Sequence, residues 1–327
     1  MVSFSEPRPD RPYLLATGEP GERLDSIDRD RIIASYQSHG ALLFRGFDMD
    51  IPRFSAFTRD YCASSMFNES PNRALLDTET QIQSVDLGID AFPLHPELSR
   101  EPWKPDVCFF HCIEAPDEGG ETTICDGVEL VRKLPPEIRD GFAARRLLYV
   151  APAAPHVLQF WLGTPHPTRE QLASPPPGCP YNFFVAGGRI VRAFTRPALH
   201  KPMFCDEPAF GNFLLFARYY LKKPNFPALD DGSPVPVAWI EAVKAVGDQL
   251  TVPVKWQRGD LLMIDNTRFM HGRNAIEDAG ERQIASYFGY LNFAVPNPEE
   301  PVDAPWRRAN FRPPLPPVAR PATPTKA

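Results

Sequence analysis

The sequence predicts a mainly β protein with helices, built on a double-stranded β-helix (jelly-roll) core with helical support and a helical insert. Two observations favour this fold class. Many short apolar segments are cut by proline and glycine, whereas helical spacing is found mostly early in the chain and in one insert. A doubly wound α/β sheet would need strands and helices in regular alternation, which this pattern does not supply.

Apolar residues at helical spacing predict four helical segments. The first is expected to stop at Gly40, and the third is expected to be a helix pair or a kinked helix because Pro135 and Pro136 interrupt it. The four segments are 26–40, 50–62, 126–142 and 232–250, the last with Trp239, Ile240, Val243 and Val246 turned inward.

Short apolar or alternating runs predict the strands. A hairpin is expected around Gly187 and Gly188, and the turn at 258–260 leads into a buried strand. The predicted strand segments are 41–47, 82–88, 106–116, 121–127, 181–195, 251–276 and 282–295. We expect a single domain at 1–311, with its core at about 30–295, and a proline-rich, disordered tail at 312–327.

Composition excludes several classes of protein. The 327 residues are 43% apolar, enough for a sizeable core, and the net charge of -6 without a long basic stripe argues against a nucleic-acid partner. No run of 18 apolar residues predicts a membrane span, and the polar, proline-broken start predicts no signal peptide. We therefore expect a cytoplasmic location, and nothing in the sequence decides between a monomer and a homodimer.

The six cysteines predict free thiols in a reducing compartment, because their spacing is irregular and the chain is long. Cys108, His111 and Cys112 invite a zinc interpretation. However, Cys108 and Cys112 share one face of a predicted strand, and the second ligand pair of a closed zinc site is missing.

A metal site is predicted at "FPLHPELSR", where His95 and Glu97 flank Pro96. On a strand these two side chains would point to the same face. The best third ligand is His271, which follows the buried segment "LLMID" and a short polar turn. Two histidines and one carboxylate that leave three coordination positions open are typical of non-haem iron(II) oxygenases.

The segments "LHPELSREPWKPDVCFFHCIEAPDEGGETTICDG" and "WQRGDLLMIDNTRFMHGRNAIEDAGERQIASYFGYL" closely resemble the taurine dioxygenase and clavaminate synthase-like superfamily. The resemblance covers about 30–295. It implies an enzyme that binds Fe(II), 2-oxoglutarate and O2, with His95, Glu97 and His271 as metal ligands and catalytic residues. It also implies that Thr122, in "EGGETTICDG", and Arg282, eleven positions after His271, bind 2-oxoglutarate. Arginine suits that role because its planar fork pairs with a carboxylate.

Alternatives remain open at Arg282, which could be a solvated charge beside Glu281, and at Arg273, which could replace it or face the substrate. The implied reaction couples oxidative decarboxylation of 2-oxoglutarate to hydroxylation of an unactivated C–H bond. Desaturation, epoxidation and cyclisation use the same cofactor chemistry. Halogenation is disfavoured, because the related halogenases lack the carboxylate that Glu97 supplies.

The substrate is expected to be a small molecule, an amino acid or a natural-product intermediate, free or carrier-bound. Taurine is disfavoured, because Ser286 stands where taurine dioxygenase has a sulfonate-binding arginine. Candidate substrate contacts are Gln83, Ser84, Arg192, Arg196, Asn212 and Arg273. Two other classes are considered: a zinc hydrolase, which Pro96 and the absence of a helical HExxH pair argue against, and a non-catalytic jelly-roll binding protein.

Overall fold

The computed structural model of the chain describes residues 2–19, 21–68, 70, 72–116, 118–277 and 282–314. These residues form two compact units. The first unit contains the described residues of 1–149 and 195–300, and the second those of 150–194 and 301–314. The single domain at 1–311 stays a prediction, and the expected tail lies outside the described residues from 315 onward.

Strands dominate the structure, which confirms the mainly β prediction. The strands are β1 (Ser3–Ser5), β2 (Leu14–Thr17), β3 (Ala41–Arg45), β4 (Cys62–Ser65), β5 (Leu75–Asp77), β6 (Ile82–Ser84), β7 (Phe92–His95), β8 (Val107–Glu114), β9 (Thr122–Asp126), β10 (Arg146–Pro152), β11 (Asn182–Ala186), β12 (Arg189–Pro197), β13 (Ala228–Leu229), β14 (Val252–Pro253), β15 (Leu261–Asp265), β16 (Phe269–Arg273) and β17 (Gln283–Leu291).

The helices lie where the sequence predicts them, with two short additions in the second unit. They are α1 (Arg29–His39), α2 (Ile51–Tyr61), α3 (Gly127–Lys133), α4 (Pro136–Ala143), α5 (Pro155–Leu162), α6 (Arg169–Ala173) and α7 (Val237–Leu250). Short 3-10 turns occupy Leu24–Ser26 and Pro305–Arg307, and Phe216–Tyr220 forms a π-helical turn.

Local sequence signals explain the helix ends. Asp28 caps α1, its carboxylate accepting from the Arg31 N–H, and Gly40 ends that helix in the left-handed region at φ 72°. The proline break between α3 and α4 confirms a helix pair. In α7, Ile240 and Val243 are buried as predicted, but Trp239 and Val246 are only half-buried.

The buried stripe of α7 ends at Gly247 instead of Val246. Residues 240, 243 and 247 follow the helical period, so Gly247 faces the interior. A Cβ built on Gly247 would lie 3.3 Å from a methyl carbon of Leu94, which shows how closely the helix approaches β7.

The first unit contains two sheets. The larger has the strand order β1-β2-β3-β15-β8-β17-β6-β5, with β4 also paired to β17, and β2–β3 is its parallel pair. The smaller sheet has the order β14-β9-β16-β7 and is antiparallel. The segment at 251–276, predicted to form alternating apolar strands, contains three strands, two of which belong to the smaller sheet.

The core of the first unit packs α1 and α2 against the larger sheet. Aromatic side chains form its centre: Phe54 and Phe57 of α2 meet Phe109 of β8 edge-on, at centroid distances of 6.4 and 6.1 Å. Tyr287 of β17 packs on the same ring at 5.9 Å. Such edge-to-face packing rigidifies β8 and β17, the strands behind the predicted site.

The second unit contains the β11–β12 hairpin, which confirms the predicted turn. Gly187 and Gly188 have φ values of 56° and 75°, as a two-residue hairpin loop requires. Its small core includes Trp161 of α5, whose ring lies 6.0 Å from that of Tyr181. Over the described residues, no helix is both long and apolar enough to span a bilayer.

Candidate metal centre

Strand pairing in the smaller sheet brings the two predicted histidines together. His95 ends β7, and its partner across the antiparallel pair is His271 of β16. Their rings lie 4.7 Å apart between centroids. The ring of His271 also meets Phe110 of β8 at 5.1 Å, so the pair lies between the smaller and the larger sheet.

Glu97 reaches the same point from a turn and not from a strand. The prediction that His95 and Glu97 share one strand face is wrong, because β7 ends at His95 and the turn begins at Glu97. Pro96 has no N–H with which to extend the ladder, and Leu98 has a left-handed φ of 51°. The turn therefore directs the carboxylate back toward the histidines.

Asn266 fixes that turn. Its Oδ1 accepts from the Glu97 N–H at 2.8 Å, and its Nδ2 donates to the carbonyls of Glu97 at 3.1 Å and Pro105 at 2.8 Å. Asn266 is fully buried and follows β15 directly. The polar turn after "LLMID" thus serves the carboxylate as well as the distal histidine.

The three side chains form the one His, Cys, Asp and Glu group with metal-ligand geometry in the described part of the chain, their ligand atoms all within 4.8 Å of one another. His271 Nε2 and Glu97 Oε2 are 3.7 Å apart. Glu97 Oε2 and His271 Nδ1 are buried without a hydrogen-bond partner in that part. Buried polar atoms are rarely left unpaired, so the unpaired carboxylate oxygen of Glu97, which faces His271 Nε2, fits a metal ion.

The electrostatics keep the donor set ready for a cation. Burial, and then the charge of His271, lowers the pKa of His95 to about 3, so its ring is neutral at pH 7. The His95 Nδ1–H donates to the Pro93 carbonyl at 2.8 Å, which leaves the Nε2 lone pair for a metal. Burial raises the pKa of Glu97, but Arg73, and then His271, outweigh it and lower the pKa, so the carboxylate is ionised.

Two loop residues that sequence reasoning missed hold the other side of Glu97. Asn68 Nδ2 donates to Glu97 Oε1 at 2.5 Å, and Gln83 holds Asn68 by bonding to both its N–H and its carbonyl at 3.0 and 2.9 Å. Gln83, predicted to contact substrate, is thus engaged with the backbone of Asn68. Arg73 Nη2 lies 3.6 Å from Glu97 Oε2. No periodic or motif signal in the sequence marks either Asn68 or Arg73.

The predicted 2-oxoglutarate residues are also buried and adjoin the smaller sheet. Thr122 begins β9, opposite Arg273 of β16, and its Oγ1 accepts from Trp256 Nε1 at 3.2 Å. Arg282 Nε donates to the Gly120 carbonyl at 2.6 Å. Arg282 is 8% exposed, which contradicts a solvated charge at this position.

The glycine pair before Thr122 has a steric reason. Gly119 and Gly120 have φ values of 74° and 65°, and a Cβ on Gly120 would lie 2.8 Å from Arg282 Cδ. Glycine therefore lets the arginine stem lie against the backbone. Burial, and then the charge of Arg273, lowers the pKa of Arg282 to about 10, and no carboxylate of the described residues forms an ion pair with it.

The other predicted substrate residues have protein partners. Ser84 Oγ accepts from the Ala74 N–H, and Asn212 bonds to the Ala198 carbonyl and the Leu214 N–H. Arg196 donates to the carbonyls of Ser99, Glu101 and Pro102, Arg273 to those of Asp86 and Asp90, and Arg192 to the Tyr181 hydroxyl in the second unit. Their substrate roles stay predictions.

The π-helical turn at Phe216–Tyr220 is another feature that the sequence did not indicate. The Phe216 ring lies 4.5 Å from that of His95, and Tyr220 packs edge-on to Phe92 at 4.9 Å. π-helical turns recur at functional sites because the extra residue redirects a side chain. Here the turn places an aromatic ring beside His95.

The zinc interpretation of Cys108, His111 and Cys112 is wrong for the described chain. All six cysteines are free, and the two of β8 are buried. His111 Nδ1 bonds to the Asp260 carbonyl at 3.1 Å. Burial raises the pKa of both Cys108 and Cys112, so both thiols are protonated at neutral pH and are poor metal ligands.

Comparison with known proteins agrees with this geometry. Residues 12–286 match the model of the "Taurine catabolism dioxygenase TauD, TfdA family". A clavaminate synthase-like protein of Arabidopsis thaliana is 27% identical over 271 residues, which are 76% of this chain and 81% of that protein.

Two solved structures show the same fold at low identity. PvcB of Pseudomonas aeruginosa, described as an Fe, alpha-ketoglutarate dependent oxygenase from an isonitrile synthetic pathway, is 16% identical, with a TM-score of 0.59 over 91% of this chain and 94% of its own. A taurine dioxygenase of Burkholderia xenovorans is 14% identical, with a TM-score of 0.59 over 95% and 99%. The chain belongs to the TauD/TfdA family and is an Fe(II)- and 2-oxoglutarate-dependent dioxygenase that uses O2.

Proposed function

We propose that His95, Glu97 and His271 bind the catalytic iron and that the enzyme hydroxylates an unactivated C–H bond of a small molecule. The observation that carries this proposal is the buried group of two imidazoles and one carboxylate, with ligand atoms within 4.8 Å of one another. Iron bound there, with 2-oxoglutarate and O2, supplies the oxidising power for C–H cleavage. Three protein ligands would leave coordination positions of such an ion for both co-substrates.

Arg282 and Thr122 hold the far carboxylate of 2-oxoglutarate in this proposal. The support is a buried guanidinium without a carboxylate partner in the described chain, beside the glycine pair that precedes Thr122. A buried cation of this kind is stabilised by a ligand anion that takes both of its terminal nitrogens. The Thr122 hydroxyl accepts from Trp256, so its own proton is available for the co-substrate.

We also propose that the two sheets of the first unit form the double-stranded β-helix. The contact between His271 of the smaller sheet and Phe110 of the larger supports a layered arrangement with the metal site between them. The aromatic residues around the metal site, including Phe216 beside His95, exclude water from it and so suppress side reactions.

Hydroxylation is the proposed outcome. Glu97 supports it over halogenation, because the related halogenases lack a carboxylate at this position. Desaturation, epoxidation and cyclisation share the same residues. The proposed substrate is an amino acid or a natural-product intermediate, free or carrier-bound; one enzyme of similar fold, PvcB, is described as part of an isonitrile synthetic pathway. The free cysteines support a cytoplasmic location. The zinc hydrolase and the non-catalytic barrel are not retained, because family membership identifies a dioxygenase.

The experiment uses purified protein with Fe(II), ascorbate and 2-oxoglutarate. Without oxygen, we expect a weak visible absorbance from the metal–keto acid complex. With oxygen, a screen of amino acids and carrier-bound amino acids should reveal compounds that increase succinate release. Glu97→Ala should abolish both signals, while Glu241→Ala, an exposed change on α7, should keep them. Full activity with zinc in place of iron would contradict the proposal.

A further inference from the structure

Arg73 is a mostly enclosed arginine among the residues that line an open cleft. The cleft has a volume of about 460 Å³ and is lined by Asn72, Arg73, Ala74, Leu87 and Gly88. The side chain of Arg73 is 11% exposed, and its guanidinium lies 5.2 Å from the ring of Phe288. Arg73 thus connects the cleft to the metal centre, since its Nη2 is 3.6 Å from Glu97 Oε2.

The hydrogen-bonding capacity of Arg73 is largely unused. Nη1 donates to Ser286 Oγ at 3.1 Å, the distance to Glu97 exceeds a hydrogen bond, and Nε is buried without a partner in the described chain. The neighbouring Arg273 differs, because its guanidinium donates to the carbonyls of Asp86 and Asp90. A buried guanidinium with an unpaired N–H is costly unless a ligand completes it.

When iron and 2-oxoglutarate are bound, the positive charge of Arg73 is not balanced by a negative charge. A divalent ion, the Glu97 carboxylate and the metal-bound carboxylate of 2-oxoglutarate sum to zero, and Arg282 balances the far carboxylate. Glu97 then no longer compensates Arg73, because its charge is taken up by the ion. Arg73 is then left without a counter-charge, because the described residues near it offer only Glu97 as an ion-pair partner.

The surroundings of the cleft are aliphatic. The segments that frame it carry exposed Leu75 and Leu76, on β5 directly after Ala74, and Leu87 and Ile89 on the following loop. The Leu87 N–H donates to the Asn72 carbonyl at 3.1 Å, so the two segments are joined. Exposed aliphatic side chains beside one buried cation suit a ligand with an apolar body and a single anionic end.

We infer that Arg73 binds a carboxylate of the substrate next to the metal, so that the substrate is a carboxylic acid whose aliphatic part lies in the cleft. This inference rests on the proposed function. A carboxylate beside Arg73 accepts from the terminal N–H groups that Glu97 leaves without a hydrogen bond, since Nε itself is enclosed by the protein. The carboxylate then fixes which carbon of the chain faces the metal, which makes Arg73 a specificity-determining residue.

The test measures binding, without turnover, by calorimetry. Enzyme loaded with Fe(II) and saturating 2-oxoglutarate, without oxygen, is titrated with acetate, butanoate, hexanoate and octanoate and with the matching primary amides. Wild type should bind at least one carboxylate about tenfold or more tightly than its amide, since a charged hydrogen-bond pair is lost in the amide. Arg73→Gln should lose this preference, and Arg258→Gln, at a 78% exposed arginine, should keep it.

The outcomes separate this inference from the proposed function. If the iron–2-oxoglutarate absorbance is present but wild type prefers no carboxylate over its amide, or Arg73→Gln keeps the preference, the inference is wrong and the function stands. If the absorbance is present in wild type but lost in Arg73→Gln, Arg73 positions Glu97, and the inference that it binds a substrate carboxylate is wrong. If the Gln variant does not fold, Arg73→Met provides an uncharged side chain of similar length for the same comparison. Absence of the absorbance in wild type would contradict the proposed function itself.

Discussion

Replacing Asn266 with alanine should weaken both the fold and the metal site, because one buried side chain holds the turn that carries Glu97. The amide of Asn266 makes three hydrogen bonds, at 2.8, 3.1 and 2.8 Å, to the Glu97 N–H and to the carbonyls of Glu97 and Pro105. At a net value of about 1 kcal/mol for each bond, Asn266→Ala should lower the free energy of unfolding by about 3 kcal/mol.

The same substitution frees the carboxylate of Glu97 from its fixed orientation. Loss of a residue that orients a ligand typically reduces metal affinity about 10- to 100-fold. Urea unfolding of the metal-free protein and calorimetric titration with Mn(II), which does not oxidise in air, measure the two effects separately.

Asn292→Ala provides the matched control. Asn292 also makes two side-chain hydrogen bonds, to Arg29 and to the Asp60 carbonyl, but it is exposed and lies on the surface after β17. Its replacement should cost less than about 1 kcal/mol and leave Mn(II) affinity unchanged. Equal effects of the two substitutions, or normal Mn(II) affinity in Asn266→Ala, would refute the role assigned to Asn266.

Three further predictions follow from individual contacts. Arg282→Lys should weaken 2-oxoglutarate binding by about tenfold or more, because lysine lacks the planar fork of arginine. The affinity is measured by the visible absorbance of the anaerobic complex, and an unchanged affinity would show that Arg282 does not bind 2-oxoglutarate. Burial, and then Lys104, lowers the pKa of His200 to about 3, below its unfolded value near 6.5. Between these two pH values the unfolded chain binds more protons than the folded chain, so the free energy of unfolding falls as the pH decreases from 6.5 toward 4. His200→Gln should reduce this loss by about 2 kcal/mol, measured by urea unfolding at several pH values. An identical pH dependence of stability in the variant and in wild type would contradict this prediction. Gly272→Ala should impair folding, since its Cβ would lie 2.5 Å from the Phe92 carbonyl oxygen; a thermal midpoint equal to that of wild type would show that β16 and β7 are not so close.

The sequence was sufficient to predict that His95, Glu97 and His271 come together, because each belongs to a local signal. His95 and Glu97 lie two positions apart, and His271 follows a buried strand and a polar turn. The prediction therefore needed only one long-range assumption, that His271 lies close to the other two in the fold. The strand pairing of His95 with His271 supplies that convergence. The route to Glu97 was nevertheless wrong, because a proline after His95 ends the strand and a turn takes its place.

The residues that contact Glu97 could not be predicted from the sequence, for a physical reason. Asn68 and Arg73 lie in irregular segments without periodicity, and their contacts to Glu97 depend on how loops fold over the sheets. Local propensity cannot predict such contacts. The helices α5 and α6 were missed because they are short, with 8 and 5 residues, and lie in a proline-rich stretch.

The proposal that His95, Glu97 and His271 together bind one ferrous ion is tested most directly by the stoichiometry of anaerobic Fe(II) binding. Wild type and His166→Ala, a change at an exposed histidine, should each bind one Fe(II) per chain. His95→Ala, Glu97→Ala and His271→Ala should each lose tight binding while remaining folded. One tightly bound Fe(II) in any of these three variants, or none in wild type, would contradict the assignment of these residues as iron ligands.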